Sequence, residues 1–358
     1  MKKFIILTII LIVLVSQGFS NIKSFAKSED IYDKIFFDET EIYSIYSLDN
    51  QFLTQTRNPC VGDQFILPSL DKYQIISTID EQKIGYASKI GTYTVHNVNK
   101  GNAKNMLFTN ATVAMYLTHN DESFEPTDGY STIYGKGGIH DVANKLKDEF
   151  LSLGVNVALD ESLHIPHDSY AYSRSGITAQ KLLDSYSPDV IFDIHRDGVS
   201  RSTYYTNYNG TEHSRVRMVV GRASANYSII EEFAVLLMAT ASQNYPWLFL
   251  DIYIANGHYN QGKSEKSLLF EMGTYLIEKE FVFDSCKPLA ETISLALFEQ
   301  TNEVVPPAQE IVVPENVVTN DTVLGQKVLL PIFIGFVAVV LVLIVTVIFK
   351  KSKRKGTT

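Results

Sequence analysis

The chain has few cysteines and no excess of positive charge, and both shortages limit what it can be. Its 358 residues include two cysteines, Cys60 and Cys286, so a single disulfide is permitted but not indicated. Lys and Arg number 31 against 40 Asp and Glu, for a net charge of -9. A nucleic-acid binder needs a concentrated basic face, and the central region has none. We therefore expect no nucleic-acid partner.

Apolar runs at the two ends predict export and a membrane anchor. Lys2 and Lys3 precede an apolar run, and residues 24–26 (Ser-Phe-Ala) fit a signal-peptidase site, so residues 1–26 are predicted to be a signal peptide or an uncleaved signal anchor. Residues 328–349 are almost wholly apolar and predict a transmembrane helix. The basic tail, 350–358, should be cytoplasmic. A single- or double-pass protein of the cell membrane, with its central residues on the extracytoplasmic side, is expected.

The residues between these ends divide by composition into three parts. Residues 27–105 contain short strand-like pieces, such as 92–95, without a catalytic constellation, and are predicted to be an accessory or spacer region. Residues 106–301 alternate between apolar runs typical of buried strands and amphipathic runs typical of helices. Residues 302–327 contain several prolines and no amphipathic period, which predicts an extended linker.

The alternation within 106–301 predicts an α/β fold. The strand-like runs cover residues 113–117, 155–159, 190–194, 247–254 and 267–270. The helical patterns cover residues 141–153, 177–183, 229–241 and 288–298. This order predicts an open, mainly parallel sheet covered by helices on both faces. In such sheets the site lies beyond the carboxyl ends of the strands.

Three of the strand-like runs end in a residue that can bind a metal or accept a proton. His119 and Glu122 follow the first run, and His195 and Glu271 end two later ones. A catalytic zinc site needs three protein ligands, an open position for water and a nearby carboxylate to take the water proton. The residue types therefore predict zinc bound by His119, Glu122 and His195, with Glu271 as the general base.

Neighbouring acidic residues could orient the predicted ligand His195. Asp193 or Asp197 could accept the second ring N–H of His195. The same segment, with Arg196, could instead be a solvated ion-pair cluster at a strand end. His140, which precedes a helix, is the replacement ligand if Glu122 is not one. The remaining histidines of the central region lack strand-end context and are expected on the surface or in loops: His164, His167, His213 and His258.

Two loop segments rich in hydrogen-bonding groups could line a polar substrate cleft. They supply Tyr172 and Arg174 in the first, and Asn260 and Gln261 in the second. Arg174 or Arg196 could position a carboxylate or stabilise the charge that develops on a scissile carbonyl. The segments could equally be ordinary loops.

Five segments, taken in order, resemble the stage II sporulation protein P family. They are residues 118–124 (THNDESF), 171–174 (AYSR), 193–197 (DIHRD), 259–261 (YNQ) and 269–273 (LFEMG). The resemblance covers about 106–297. It implies a peptidoglycan hydrolase that is similar in fold to the zinc-dependent N-acetylmuramoyl-L-alanine amidases.

The resemblance also implies a setting and residue roles. The expected reaction is amide hydrolysis in cell-wall stem peptides during engulfment, together with endopeptidase activity. The expected place is the space between mother-cell and forespore membranes, in a complex with stage II sporulation proteins D and M. His119, Glu122 and His195 match the family's presumed metal ligands, and Glu271 matches its catalytic carboxylate.

The chain departs from the family pattern at several positions. Leu117 replaces the first histidine of a His-Thr-His run, Phe124 replaces a tyrosine, and apolar residues follow Gly273 in place of polar ones. These departures motivate a competing hypothesis, a catalytically degenerate wall-binding scaffold that recruits another hydrolase. A third hypothesis is a different zinc peptide hydrolase, such as a carboxypeptidase.

Overall fold

A computed structural model describes residues 41–96, 107–108, 110–298, 300–301 and 310–313. The predicted signal segment (1–26), transmembrane helix (328–349) and basic tail (350–358) lie outside these residues. No helix within the described ranges is long and apolar enough to span a membrane.

The strands and helices of the described residues are as follows. The strands are β1 (Ile42–Ser47), β2 (Phe52–Arg57), β3 (Gln64–Ile66), β4 (Asp71–Ile79), β5 (Ile84–Thr92), β6 (Leu107–Phe108), β7 (Thr112–Tyr116), β8 (Asn156–Asp160), β9 (Val190–Asp197), β10 (Tyr205–Tyr208), β11 (Thr211–Ser214), β12 (Val216–Gly221), β13 (Phe249–Ala255), β14 (Ser267–Thr274), β15 (Gln300–Thr301) and β16 (Glu310–Ile311). The helices are α1 (Glu125–Asp128), α2 (Ile139–Ser152), α3 (Ala171–Tyr186), α4 (Arg201–Tyr204), α5 (Tyr227–Asn244) and α6 (Lys279–Leu297), with a 3-10 turn at Gln261–Lys263.

One 12-stranded sheet carries the fold, in the order β16-β8-β7-β9-β14-β12-β13-β3-β4-β5-β1-β2. All neighbours from β16 to β14 are parallel, as are β12–β13 and β1–β5. The other five neighbouring pairs are antiparallel. The prediction of a mainly parallel sheet is therefore wrong for the sheet as a whole, which is mixed. Short strands joined by tight turns pair antiparallel because such pairs need no crossover connection.

Helices cover both faces of the parallel part, as the sequence predicts. Side chains alternate between the two faces along a strand. Val113 and Met115 of β7 belong to the large core that includes the apolar residues of α2, α5 and α6. Ala114 and Tyr116 belong to a second core shared with α3.

Residues 41–96 extend the same sheet. β3 pairs antiparallel with β13, with Ile66 opposite Ile252. β5 ends at Thr92, so most of the strand expected at 92–95 is absent: only its first residue is in a strand. β2 lies at the far edge of the strand order, yet its Thr54 hydroxyl donates to Asp251 of β13 at 2.5 Å. The region predicted to be an accessory or spacer is therefore built onto the α/β core.

Two further sequence expectations concern connections. The predicted linker is described at residues 310–313, and Glu310–Ile311 pair parallel with β8. Cys60 is exposed and Cys286 is buried, and both are free thiols. The permitted disulfide is not formed.

Candidate active site

The predicted site residues lie together at the carboxyl ends of β7, β9 and β14. His119 follows the end of β7, while His195 and Glu271 are register partners on the adjacent parallel strands β9 and β14. With Glu122 they line one cavity of about 170 Å³. Parallel pairing places these ends at one edge of the sheet, which is why residues far apart in sequence meet there.

Glu122 lies at the centre of the cluster. Its Oε1 is 3.1 Å from Nδ1 of His119 and 3.6 Å from Nδ1 of His195. Its Oε2 accepts a hydrogen bond from the main-chain N–H of Arg196 at 2.9 Å. Burial would raise the pKa of Glu122, but the charge of His195 and the contact with His119 outweigh burial and hold that pKa well below its usual value. Glu122 is thus a buried carboxylate, which is a metal-ligand type.

Main-chain contacts fix the loop that carries Glu122. The Arg196 guanidinium donates to the carbonyl oxygen of Ser123 at 3.1 Å and to that of Ser131 at 2.8 Å. A Cβ at Gly137 would lie 2.2 Å from the carbonyl oxygen of Glu122, so only glycine permits this close approach. Arg196, predicted to stabilise developing charge, is buried and engages the protein's own main chain. Its contacts are those of a positioning residue.

His167, which sequence reasoning placed on the surface or in a loop, joins the cluster. Its ring stacks on that of His119 with centroids 3.8 Å apart, and its Nδ1 lies 2.9 Å from Oδ1 of Asp121. One ligand atom each from His119, Glu122 and His167 lie within 4.8 Å of one another. His167 follows no apolar run in the sequence. It reaches the cluster because the loop after β8 returns over the end of β7. The sequence therefore offered no signal for it.

Burial sets the protonation of His119. It lowers the pKa of His119 to about 4, so the imidazole is neutral at physiological pH. A neutral ring nitrogen is the form of histidine that binds a metal.

His195 and Glu271 each bury a polar atom that has no hydrogen-bond partner among the described residues, Nε2 of His195 and Oε2 of Glu271. Nε2 lies 3.0 Å from Oδ1 of Asp193, but the angle does not suit a hydrogen bond. Burial disfavours charge on His195, yet Asp193 and Glu122 outweigh it and raise its pKa well above the usual value. Burial, reinforced by the charge of Asp197, raises the pKa of Glu271 well above its usual value.

This donor set fits a divalent cation such as zinc. His119 is neutral, Glu122 is a buried carboxylate, and His167 offers a ligand atom within 4.8 Å of theirs. His195 lines the same cavity, and its raised pKa means that it would release a proton on binding the cation. Buried polar atoms normally have a partner, and two imidazoles with one carboxylate are a known catalytic zinc set.

The acidic residues predicted to orient His195 also join neighbouring elements. Asp193 accepts hydrogen bonds from the main-chain N–H of Thr118 at 2.9 Å and from its hydroxyl at 2.6 Å, which links the end of β7 to β9. Asp197 accepts from the Tyr204 hydroxyl at 2.8 Å and from Arg217 at 2.7 Å. Asp197 therefore lines the cavity as an ion-paired carboxylate.

Of the four residues predicted to bind substrate, Tyr172 is the one that lines the cavity. The Asn260 amide donates to the Tyr172 carbonyl oxygen at 3.0 Å. Gln261 bonds the main chain of β12, accepting from Gly221 at 2.8 Å. Arg174 donates to the carbonyl oxygen of His164 at 2.8 Å. Asn260, Gln261 and Arg174 thus brace the loops around the cavity.

Two residues singled out from the sequence lie away from the cavity lining. His140, the replacement ligand, places its Nδ1 2.8 Å from Oε1 of Glu161. The Leu117 side chain is fully buried in the large core, and its carbonyl oxygen is 2.6 Å from Nδ1 of His164. The position at which the chain departs from the family histidine therefore faces the core.

Fold and site together define an α/β protein with a buried histidine and glutamate cluster, suited to a cation, at the carboxyl edge of parallel strands. The family model described as stage II sporulation protein P matches residues 23–294. The chain belongs to this family, which confirms the resemblance found in the sequence.

Individual relatives are distant. The stage II sporulation protein P of Bacillus subtilis (strain 168) is 25% identical over 195 residues, which cover 49% of this chain and 49% of that protein. The match thus spans about half the length of the curated relative. Among solved structures, the CwlD amidase of Clostridioides difficile, in complex with the GerS lipoprotein, covers 52% of this chain and 96% of its own. That pair has 15% identity and a TM-score of 0.34.

Proposed function

We propose that the chain is a zinc-dependent peptidoglycan hydrolase that cleaves the N-acetylmuramoyl-L-alanine amide bond. The observation that carries the proposal is one cavity that brings together His119, Glu122, His195 and the buried carboxyl of Glu271. Amide hydrolysis needs a polarised carbonyl, an activated water and a group that moves a proton from water to the leaving amine. This cavity has residue types for each task.

His119, Glu122 and His195 would hold the metal. A zinc ion bound there would supply Lewis-acid polarisation of the scissile carbonyl and lower the pKa of a bound water. Glu122 contributes the negative charge, and its hydrogen bond from the Arg196 main chain fixes its orientation. The stacked ring of His167 restrains His119.

Glu271 would move the proton. Its carboxylate accepts a proton from the attacking water and, as the acid, returns it to the leaving amine. Burial and Asp197 raise its pKa, which makes the protonated form stable enough for the second transfer. A general acid–base group works best when its pKa lies near the operating pH.

The proposed setting follows from the ends of the chain and from the family. Residues 328–349 would tether the protein to the cell membrane, with the α/β domain on the extracytoplasmic side, between mother-cell and forespore membranes. There it would act on peptidoglycan during engulfment, with stage II sporulation proteins D and M as partners. Cleavage of stem-peptide cross-links would be a second activity of the same site.

The test uses the Glu271→Gln variant. Purified peptidoglycan is incubated with this variant, and the products are identified by mass spectrometry. Loss of the general base should lower the rate about 10²- to 10⁴-fold, while bound zinc stays near one equivalent. The matched control is Glu278→Gln, because Glu278 is a surface carboxylate paired with Arg201 at 2.8 Å. That control should keep the wild-type rate.

The products separate the three hypotheses. An amidase releases whole stem peptides, a carboxypeptidase shortens them, and a scaffold releases neither. Wild-type cleavage by Glu271→Gln would refute the assigned base. Absence of zinc near one equivalent, with no activity gained on adding it, would favour the scaffold.

A further inference from the structure

Arg57 reaches the catalytic cavity from the part of the chain in which the sequence shows no catalytic constellation. It is the last residue of β2, and it lines the same cavity as His119, Glu122 and Glu271. The cavity is therefore completed by residues 41–96 and is not a property of the α/β core alone.

Two other arginines near the site have contacts that hold them in place. Arg196 donates to two main-chain carbonyl oxygens, and Arg174 donates to the carbonyl oxygen of His164 and to Asp168. Arg57 pairs with the side chain of Glu41, with Nε 2.7 Å from Oε2, the two side chains are 27% and 37% exposed, and, unlike Arg174, Arg57 lines the catalytic cavity. A guanidinium presents five N–H donors in a planar fork that matches the two oxygens of a carboxylate.

The strand that carries Arg57 is held against the catalytic core. The Gln55 carbonyl oxygen accepts from Arg217 at 2.6 Å. The Gln55 side chain accepts from Thr203 at 2.6 Å and from Ser200. Ser200 and Thr203 lie in the segment that follows β9, the strand of His195. Arg57 is thus pre-positioned, and it loses less conformational entropy on binding than a mobile side chain would.

The charge of the cavity gives Arg57 a specific task. The carboxylates of Glu122 and Asp197 line the cavity and disfavour the approach of an anionic substrate. Stem peptides of the cell wall carry carboxylates close to the scissile amide. Arginine binds carboxylates through two parallel hydrogen bonds, which give orientation as well as affinity.

We propose that Arg57 is a substrate-binding residue that holds a carboxylate of the stem peptide at the mouth of the catalytic cavity. The identity of the peptide rests on the proposed function; the preference for a carboxylate rests on the position of Arg57. The strands of residues 41–96 would then be part of the substrate site.

Binding of two muropeptides that differ in one group tests the proposal. The ligands are N-acetylmuramoyl-L-alanyl-D-glutamate and the analogue with the glutamate α-carboxylate amidated, titrated calorimetrically into the full-length Glu271→Gln protein. The carboxylate ligand should bind about 10- to 100-fold more tightly, because a hydrogen bond to a charged group contributes roughly 1.5–3 kcal/mol. Adding Arg57→Gln should abolish this preference, and Arg57→Lys should retain part of it.

The matched control is Arg222→Gln. Arg222 is 30% exposed and lies 3.7 Å from Asp63, so it is an ion-paired arginine of similar exposure to Arg57 but away from the cavity lining, and this variant should keep the preference. Equal affinity of the parent for both ligands, or a preference that survives Arg57→Gln, would overturn the proposal. Hydrolysis by the unsubstituted chain is measured separately. If it cleaves nothing while the Arg57-dependent preference is present, the proposed function fails and this inference stands.

Discussion

The strands β7, β9 and β14 run in one direction, whereas β3, β4 and β5 alternate in direction. In the first group every carboxyl end lies at the same edge, and that edge carries His119, His195 and Glu271. In the second group the strand ends alternate between edges, so no comparable cluster can accumulate. From residues 41–96, the cavity lining includes one cationic side chain, Arg57. The candidate metal ligands therefore lie in the part of the sheet whose strands are parallel, and the antiparallel part forms one side of the cavity.

Arg217 of β12 links the two parts. Its guanidinium donates to Asp251 at 2.7 Å, to Asp197 at 2.7 Å and to the Thr54 hydroxyl at 2.9 Å. These partners lie on β13, β9 and β2. Burial disfavours the charged guanidinium, but Asp251, Tyr204 and Asp197 outweigh burial and raise the pKa of Arg217 well above its usual value.

Breaking this link should have the largest effect on stability. Arg217→Met leaves Asp251 and Asp197 without their buried cation, which should lower the free energy of unfolding by about 3–5 kcal/mol. Chemical denaturation measures the change. The control Arg201→Met removes a surface ion pair with Glu278 and should cost about 0–1 kcal/mol. A loss below 1 kcal/mol for Arg217→Met would show that the two parts do not depend on this contact.

A second prediction concerns the metal site at the edge formed by the parallel strands. Either His195 or His167 could be the third ligand beside His119 and Glu122. His195→Gln should lower zinc affinity by more than about 100-fold and His167→Gln by about 10-fold, the latter as for a residue that supports a ligand. Competition with a chelator measures both without reference to activity. The exposed His96 provides the control substitution, His96→Gln, which should leave the affinity unchanged. The reverse order would assign the metal to His119, Glu122 and His167, the set whose ligand atoms lie within 4.8 Å.

The strands of the parallel part and their site residues can be predicted from the sequence, because each strand and the side chain at its end lie in one short segment. An apolar run followed by His119, or ended by His195 or Glu271, shows both the strand and the side chain at its end. The helical period of 141–153 likewise predicts most of α2 (Ile139–Ser152). Five ordered segments then connect these local signals to the family.

The remainder depends on contacts that no local pattern records. His167 enters the cluster because a loop returns over β7, and Arg57 enters because an edge strand is clamped to the core by Gln55. The same limit applies to Arg174, Arg196 and Gln261. Their residue types suit substrate binding, but tertiary packing directs them to main-chain groups. The antiparallel pairs of the sheet could not be predicted, because the strand-like patterns in residues 41–96 do not indicate which strand each one pairs with.

The smallest predicted effect concerns a histidine–carboxylate pair at the parallel part but outside the cavity lining. The hydrogen bond from His140, together with that from Lys136, lowers the pKa of Glu161 from 4.5 to about 2, against the opposing effect of burial. Because the folded-state pKa is the lower one, this stabilisation is fully present above pH 4.5 and is lost as pH falls towards 2.

Glu161→Gln should therefore reduce the free energy of unfolding by about 1 kcal/mol above pH 4.5 and flatten its decline between pH 4.5 and 2. Denaturation at a series of pH values measures this slope. Lys136→Gln, which removes the more exposed partner, should flatten it less than His140→Gln does. An unchanged slope in Glu161→Gln would show that this pair does not contribute to acid sensitivity.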